Sequence, residues 1–209
     1  MNTRNRFNDL VELFDYLSEE EGALVDYQAG ETIYKQGQPD NRIYMVKEGG
    51  ISQSKRNRSG EVMTYQILKP GDILSTYRLS ANVVNQPCRA KALLDSKLQQ
   101  VLRVSFRERL LDNPELAIKI VDLISEELQT RDKTLERQIY MTAKQRIFSI
   151  LEDLSELVEE EEDGKHIGFL TRKELADMAG MTEETATRSL SKLEQEGRIR
   201  KKGNEIVLV

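Results

Sequence analysis

The sequence predicts an α+β chain in three zones: an antiparallel sandwich or barrel of short strands, one long helix, and a small helical unit closed by a strand hairpin. Short alternating apolar runs punctuated by glycine fill residues 1–112. A stretch with no Gly, and no Pro after residue 114, then runs to about Tyr140 with apolar residues three, four or seven apart. Two short, well-capped helical segments and a basic hairpin complete the chain. At 209 residues one or two domains are expected, and a core forms without staples.

The first zone opens with a short amphipathic helix carrying Phe7, Leu10, Val11, Phe14 and Leu17. Strand-like runs follow at 33–34, 43–46, 62–65 and 101–104, with glycines at 30, 37, 49, 50, 60 and 71 between them. Asn57-Arg58-Ser59-Gly60 has the residues of a hairpin turn, because Gly supplies positive φ without steric cost.

The long helix starts at Asn113-Pro114-Glu115, with Asn113 as N-cap and Pro114 at N1, where no donor is needed. Its apolar positions are Leu116, Ile120, Leu123, Ile124, Leu128, Leu135 and Ile139. Some 27 residues span about 40 Å. A helix that long overhangs a small domain, so these seven residues are the expected dimerisation seam with a twin helix, the alternative being that the helix packs on its own sheet. The expected boundaries are therefore 1–112, 113–141 for helix and hinge, and 142–209.

The third zone begins at a candidate cap, Thr142, and a helix over 143–158 with Ile147, Phe148, Ile150, Leu151, Leu154 and Val158 inward. Glu159 to Asp163 oppose the dipole at its C-terminus and read as a solvated loop. His166, beside them, reads as exposed. Thr171-Arg172-Lys173-Glu174 is a capping box that starts a short helix. Gly180 turns the chain, Thr182 caps a second helix over 183–196, and Gly197 closes it. Two short helices about a Gly turn are the helix-turn-helix pattern, and 198–208 add strand, Gly-Asn turn and strand as a basic wing.

On the second helix Glu184, Thr187 and Arg188 lie at i, i+3 and i+4 and project together. In a major groove Arg188 can fork onto guanine O6/N7 and Glu184 can accept from cytosine N4, the alternative being a plain i,i+4 surface ion pair. Phosphate contacts fall to Thr171, Arg172, Thr182, Lys192, Arg200, Lys201 and Lys202. The net charge of −5, from 31 Lys+Arg against 36 Asp+Glu, argues against a basic nucleic-acid coat. Location resolves the conflict. Residues 152–163 hold eight acids and no base, whereas 164–209 hold nine Lys/Arg against seven Asp/Glu.

These motifs resemble the CRP/FNR superfamily of transcription regulators over nearly the whole chain. The resemblance rests on Gly30-Glu31-Thr32-Ile33-Tyr34-Lys35-Gln36-Gly37, Ile43-Tyr44-Met45-Val46-Lys47-Glu48-Gly49, Pro70-Gly71-Asp72, Arg146 and Glu184-x-x-Thr187-Arg188. It implies a jelly-roll β-roll sensor like a cyclic-nucleotide-binding domain, a dimerisation helix and a winged helix-turn-helix. It also implies a bacterial, cytoplasmic homodimer on a palindromic double-stranded DNA operator with half-sites akin to TTGA or TGTGA, and RNA polymerase as a partner. The rival reading is a regulatory module whose C-terminal helices bind protein instead of DNA.

The family's cyclic-nucleotide cassette is incomplete. After Gly71-Asp72-Ile73-Leu74 stand Ser75-Thr76 with no carboxylate, and Arg89-Ala90-Lys91 keeps Arg but lacks the hydroxyl. Ser75, Thr76 and Arg89 remain the candidate effector residues, but tight cyclic-AMP binding is not expected, and Arg89 reads as a strand-surface side chain. One cysteine excludes a four-Cys iron–sulfur cluster, and one histidine disfavours haem and multi-His metal sites. No resident cofactor is expected. Cys88, beside Arg89, is a candidate redox thiol or a small buried apolar residue. No hydrolase, P-loop or dinucleotide fingerprint appears, so no enzyme activity is expected, and no apolar run is long enough for a membrane partner.

Overall fold

The computed structural model describes residues 3–79, 85–203 and 205–209, with side chains from Leu10 onward except Glu21. The expected contribution of Phe7 and the Asn204 half of the wing turn lie outside the described side chains and residues. In chain order come α1 (Thr3–Glu21), β1 (Ala23–Tyr27), β2 (Thr32–Tyr34), β3 (Arg42–Glu48), β4 (Ile51–Arg56), β5 (Val62–Leu68) and β6 (Ile73–Leu74). A 3-10 turn (Thr76–Leu79), β7 (Arg89–Ala92), β8 (Ser96–Leu102), α2 (Arg103–Asp112) and α3 (Pro114–Tyr140) follow. The chain ends with α4 (Ala143–Ser155), β9 (Glu160–Glu161), β10 (Gly164–Ile167), α5 (Arg172–Ala179), α6 (Glu183–Gln195), β11 (Ile199–Lys202) and β12 (Glu205–Leu208). Among the described residues, three four-stranded sheets have the orders β1-β8-β3-β6, β2-β7-β4-β5 and β11-β12-β10-β9.

Contacts divide the chain into two compact units, residues 1–51 with 68–130 and residues 52–67 with 131–209. In the first, β8 pairs antiparallel with β3 from Arg42↔Leu102 to Val46↔Leu98, and with β1 from Ala23↔Gln100 to Tyr27↔Ser96. Leu10, Leu13, Phe14 and Leu17 recur at helical spacing and bury the inner face of α1 on Ile43, Met45, Ile73 and Val101. Phe106 of α2 and Ile120 of α3 complete this core, with the Phe14 and Phe106 ring centroids 5.1 Å apart.

One strand expectation is corrected. The run 101–104 is not wholly strand: β8 stops at Leu102 and α2 begins at Arg103. Helical geometry is what carries Phe106 to zero exposure, and it leaves Val104 58% exposed. Asn57–Gly60 forms the expected turn, with Gly60 at φ +92° and its amide donating to Asn57 O at 3.2 Å.

In the second unit, the Tyr65 ring lies 5.7 Å from Lys55 Nζ and 5.4 Å from the Arg131 guanidinium. The helical core is Ile147, Ile150, Leu151 and Leu154 of α4, Leu175, Ala176, Met178 and Ala179 of α5, and Ala186, Leu190 and Leu193 of α6. Ile167, Ile199, Ile206 and Val207 cover it from the sheet. Thr142 caps α4 through a capping box with Gln145. Two further expectations change here. Helix α4 ends at Ser155, short of Val158, and the acidic run is not all loop, because Glu160–Glu161 form β9 against β10. Gly164, at φ +120°, reverses the chain where a Cβ would collide with Leu208 O.

Candidate nucleic-acid interface

Helices α5 and α6 are joined by a tight turn at Gly180, whose φ of 59° and ψ of 48° are left-handed. The Thr171 hydroxyl accepts from Glu174 N at 3.2 Å, and Glu174 Oε2 accepts from Thr171 N at 2.9 Å, closing the expected box. Thr182 Oγ1 accepts from Thr185 N at 3.3 Å and starts α6. Gln138, near the end of α3, packs on the turn: its Oε1 is 2.7 Å from where a Gly180 Cβ would stand and accepts from Arg146 Nη1 at 2.6 Å.

On the opposite face of α6, Glu184, Thr187 and Arg188 are all exposed. Arg188 Nη2 is ion-paired with Glu184 Oε1, both side chains being over 70% exposed. A pair so open to water contributes little to stability. It does hold an arginine fork and a carboxylate side by side on the outer surface of a helix. Thr187 Oγ1 donates to Glu183 O at 2.9 Å.

The cations expected to touch phosphate fall into two groups. Lys192 and Lys202 are exposed, and Arg172 is half-buried. Lys201 Nζ is instead held by Glu194 at 2.8 Å and donates to Ser191 Oγ at 3.2 Å, tying β11 to α6. That contact lowers the Glu194 pKa below the usual carboxylate range. Arg200 donates to Asp163 O, and Arg198 stacks on Phe148 at 4.0 Å. The Arg198 contact carries no separate sequence signal.

His166 departs from expectation. Only 13% of its side chain is exposed, with Nε2 2.6 Å from Asp163 Oδ1 and Nδ1 3.1 Å from Glu205 Oε2. The Asp163 hydrogen bond, and then that of Glu205, raise its pKa above the usual imidazole value against the opposing effect of burial. Pairing of β10 with β12 brings Glu205 there, which separation in sequence conceals.

The candidate effector residues are separately engaged. Ser75 is buried at φ +69° and donates to Gln86 Oε1 at 3.2 Å. Thr76 Oγ1 donates to Glu127 Oε2 at 2.6 Å. Arg89 is exposed on β7, donating to Thr32 Oγ1 at 2.8 Å. Cys88 is fully buried, with Sγ 3.0 Å from the Tyr77 hydroxyl. Arg78, which no motif singles out, is 1% exposed, and its Nε and Nη1 have no hydrogen-bond partner.

The expected seam on α3 splits between two faces. Ile120 is in the core of the first unit, and Leu116, Leu123 and Ile124 pack against that core. Leu128, Leu135 and Ile139 are 57–68% exposed, joined by Ile118 and Val121, which the sequence reading missed. Among the described residues, no helix is long and apolar enough to cross a membrane.

Residues 24–113 match the family model of the cyclic nucleotide-binding domain, and residues 145–209 match that of the Crp-like helix-turn-helix domain. The chain belongs to the CRP/FNR superfamily of transcription regulators. The transcriptional regulator SdrP of Thermus thermophilus is 29% identical over 188 residues, covering 88% of this chain and 89% of SdrP. A CRP-like cAMP-activated global transcriptional regulator of Mycobacterium tuberculosis is 22% identical over 186 residues, 88% of this chain and 83% of that one. A solved CRP/FNR-family regulator from Thermus thermophilus is 27% identical and superposes with a TM-score of 0.76, over 90% of this chain and 93% of that one. The c-di-GMP-responsive regulator CLP of Xanthomonas campestris shares the fold, with TM-score 0.80 at 19% identity over 94% and 98%. The α+β architecture is thus that of the CRP/FNR β-roll, long helix and winged helix-turn-helix, and the family consists of regulators, not enzymes.

Proposed function

We propose that this CRP/FNR-type regulator binds a two-fold symmetric operator as a cytoplasmic homodimer, without responding to cyclic AMP. The carrying observation is the exposed Glu184–Arg188 pair on α6, whose first turns are those a recognition helix puts into the major groove. In each half-site Arg188 reads a guanine and Glu184 the cytosine partner's side, with Thr187 beside them. Thr171, Arg172, Thr182, Lys192 and Lys202 serve the flanking phosphates, while Lys201 and Arg200 first hold the wing in place. RNA polymerase is the further partner expected of such a regulator. The cyclic-AMP part rests on the absence of a carboxylate at Ser75-Thr76, the commitment of Thr76 to Glu127 and the surface position of Arg89.

Selection of bound duplexes from a random pool, followed by mobility shifts across a salt series, tests the reading. The expected outcome is an inverted repeat and an affinity that falls with salt as counterions are released. Arg188→Ala should cost about 1–3 kcal/mol per half-site and relax preference at one base pair, whereas Lys202→Ala should weaken all duplexes alike. Equal weakening by both variants refutes base reading by Arg188. A salt slope near zero favours C-terminal helices that bind protein, and low-micromolar cyclic-AMP binding by calorimetry refutes the effector reading.

A further inference from the structure

The β9–β10 hairpin brings Glu161, Asp163 and His166 to one point. One ligand atom from each lies within 4.8 Å of the others. Nε2 of His166 is 2.6 Å from Asp163 Oδ1 and 3.8 Å from Glu161 Oε2. The far side of the ring is fixed as well, since Nδ1 contacts Glu205 Oε2 at 3.1 Å. We propose that Glu161, Asp163 and Nε2 of His166 form a site for a divalent transition cation of the zinc class, with Glu205 orienting the imidazole.

Donor geometry supports this assignment. His166 presents a ring nitrogen to a carboxylate on each side, which the doubly protonated ring satisfies by donating through both nitrogens. A cation that takes the place of the Nε2 proton keeps the Nδ1–H to Glu205 hydrogen bond, binds the Asp163 carboxylate and makes use of the Glu161 carboxylate too. Carboxylate, imidazole and metal in line is the usual way an outer residue fixes the tautomer of a ligating histidine. The mixed nitrogen and oxygen donors suit zinc-class cations better than magnesium or calcium, which prefer shells of oxygen alone. Tetrahedral zinc bonds of about 2.0–2.2 Å put neighbouring donors about 3.3–3.6 Å apart, so Asp163 withdraws and Glu161 closes in slightly.

The site is coupled to the wing. Asp163 O accepts from Arg200, and its carboxylate is 3.8 Å from Lys202 Nζ. A cation that takes the Asp163 carboxylate withdraws it from Lys202, whose side chain is already 66% exposed. The site itself stands independently of the DNA-binding reading.

His166 is the single histidine of the sequence, so its ring proton resonances report on this position without ambiguity. Full-length protein, dialysed against chelator and titrated with zinc chloride in a non-coordinating buffer, should show these resonances shifting to saturation at one equivalent. Calorimetry on the same sample should give one ion per chain. His166→Ala should weaken binding at least tenfold, and Glu205→Gln should weaken it with the circular dichroism spectrum unchanged. Ring resonances that stay fixed under excess zinc, or zinc affinity equal to wild type in His166→Ala, would overturn the proposal.

Discussion

Asp15 shows how one carboxylate fastens α1 to the sheet beneath it. Its Oδ1 accepts from Lys47 Nζ of β3 and from Gln99 Nε2 of β8, each at 3.0 Å. Burial pushes its pKa up, but the two hydrogen bonds and the Lys47 charge outweigh that, and the net direction is below the usual carboxylate value. A folded-state pKa below the unfolded one adds stability that is complete above the unfolded value, near 3.8, and fades as pH falls through the folded value. With the Asp15 side chain 52% exposed, solvent screening limits the contribution to about 1 kcal/mol or less. Asp15→Asn should therefore unfold at lower urea than wild type at pH 6, and the two curves should converge toward pH 3. A gap that is constant over this range would count against the ionic origin.

At the scale of elements, the turn between α5 and α6 depends on the left-handed conformation of Gly180. Gly180→Ala would force an L side chain into the left-handed region, at about 1–2 kcal/mol, and bring its Cβ to 2.7 Å from Gln138 Oε1. The Gln138 tip can move, so the double variant with Gln138→Ala should recover part of the loss while the backbone strain persists. Urea denaturation of the two variants separates these effects, and a single variant as stable as wild type would refute both. This turn was legible from the sequence because its signals are local: a Thr box, a Gly and a second Thr cap within twelve residues. The same holds for α3, whose Asn113 side chain accepts from Leu116 N at 3.3 Å as its cap. The start of α2 was not legible, because 101–104 alternate like a strand and only the core position of Phe106 makes the segment helical. Nor was the surrounding of His166, where the partner Glu205 arrives through strand pairing 39 residues away. Sequence spacing also could not tell which apolar face of α3 the protein covers by itself.

For the whole molecule, that last distinction bears on the proposed homodimer. Ile118, Val121, Leu128, Leu135 and Ile139 follow steps of three and four once Ser125 and Asp132 are placed between them, which is the a/d pattern of a helix pair. Each of the five is at least 56% exposed, an unusual concentration of apolar surface along one helix. The opposite face is already used, since Leu116, Ile120, Leu123 and Ile124 pack on the chain's own core. The two faces therefore predict different failures. Leu128→Glu with Leu135→Glu should leave the circular dichroism spectrum and Tm of each chain near wild type but turn a dimer into a monomer in sedimentation. Leu123→Glu should instead lower Tm, because it inserts a charge against the core. Separated chains also lose the joint hold on two half-sites, so operator affinity in the Glu pair should fall by about two to four orders of magnitude with Arg188 untouched. A Leu128→Glu, Leu135→Glu protein that sediments as a dimer would show that the row on α3 is not the seam.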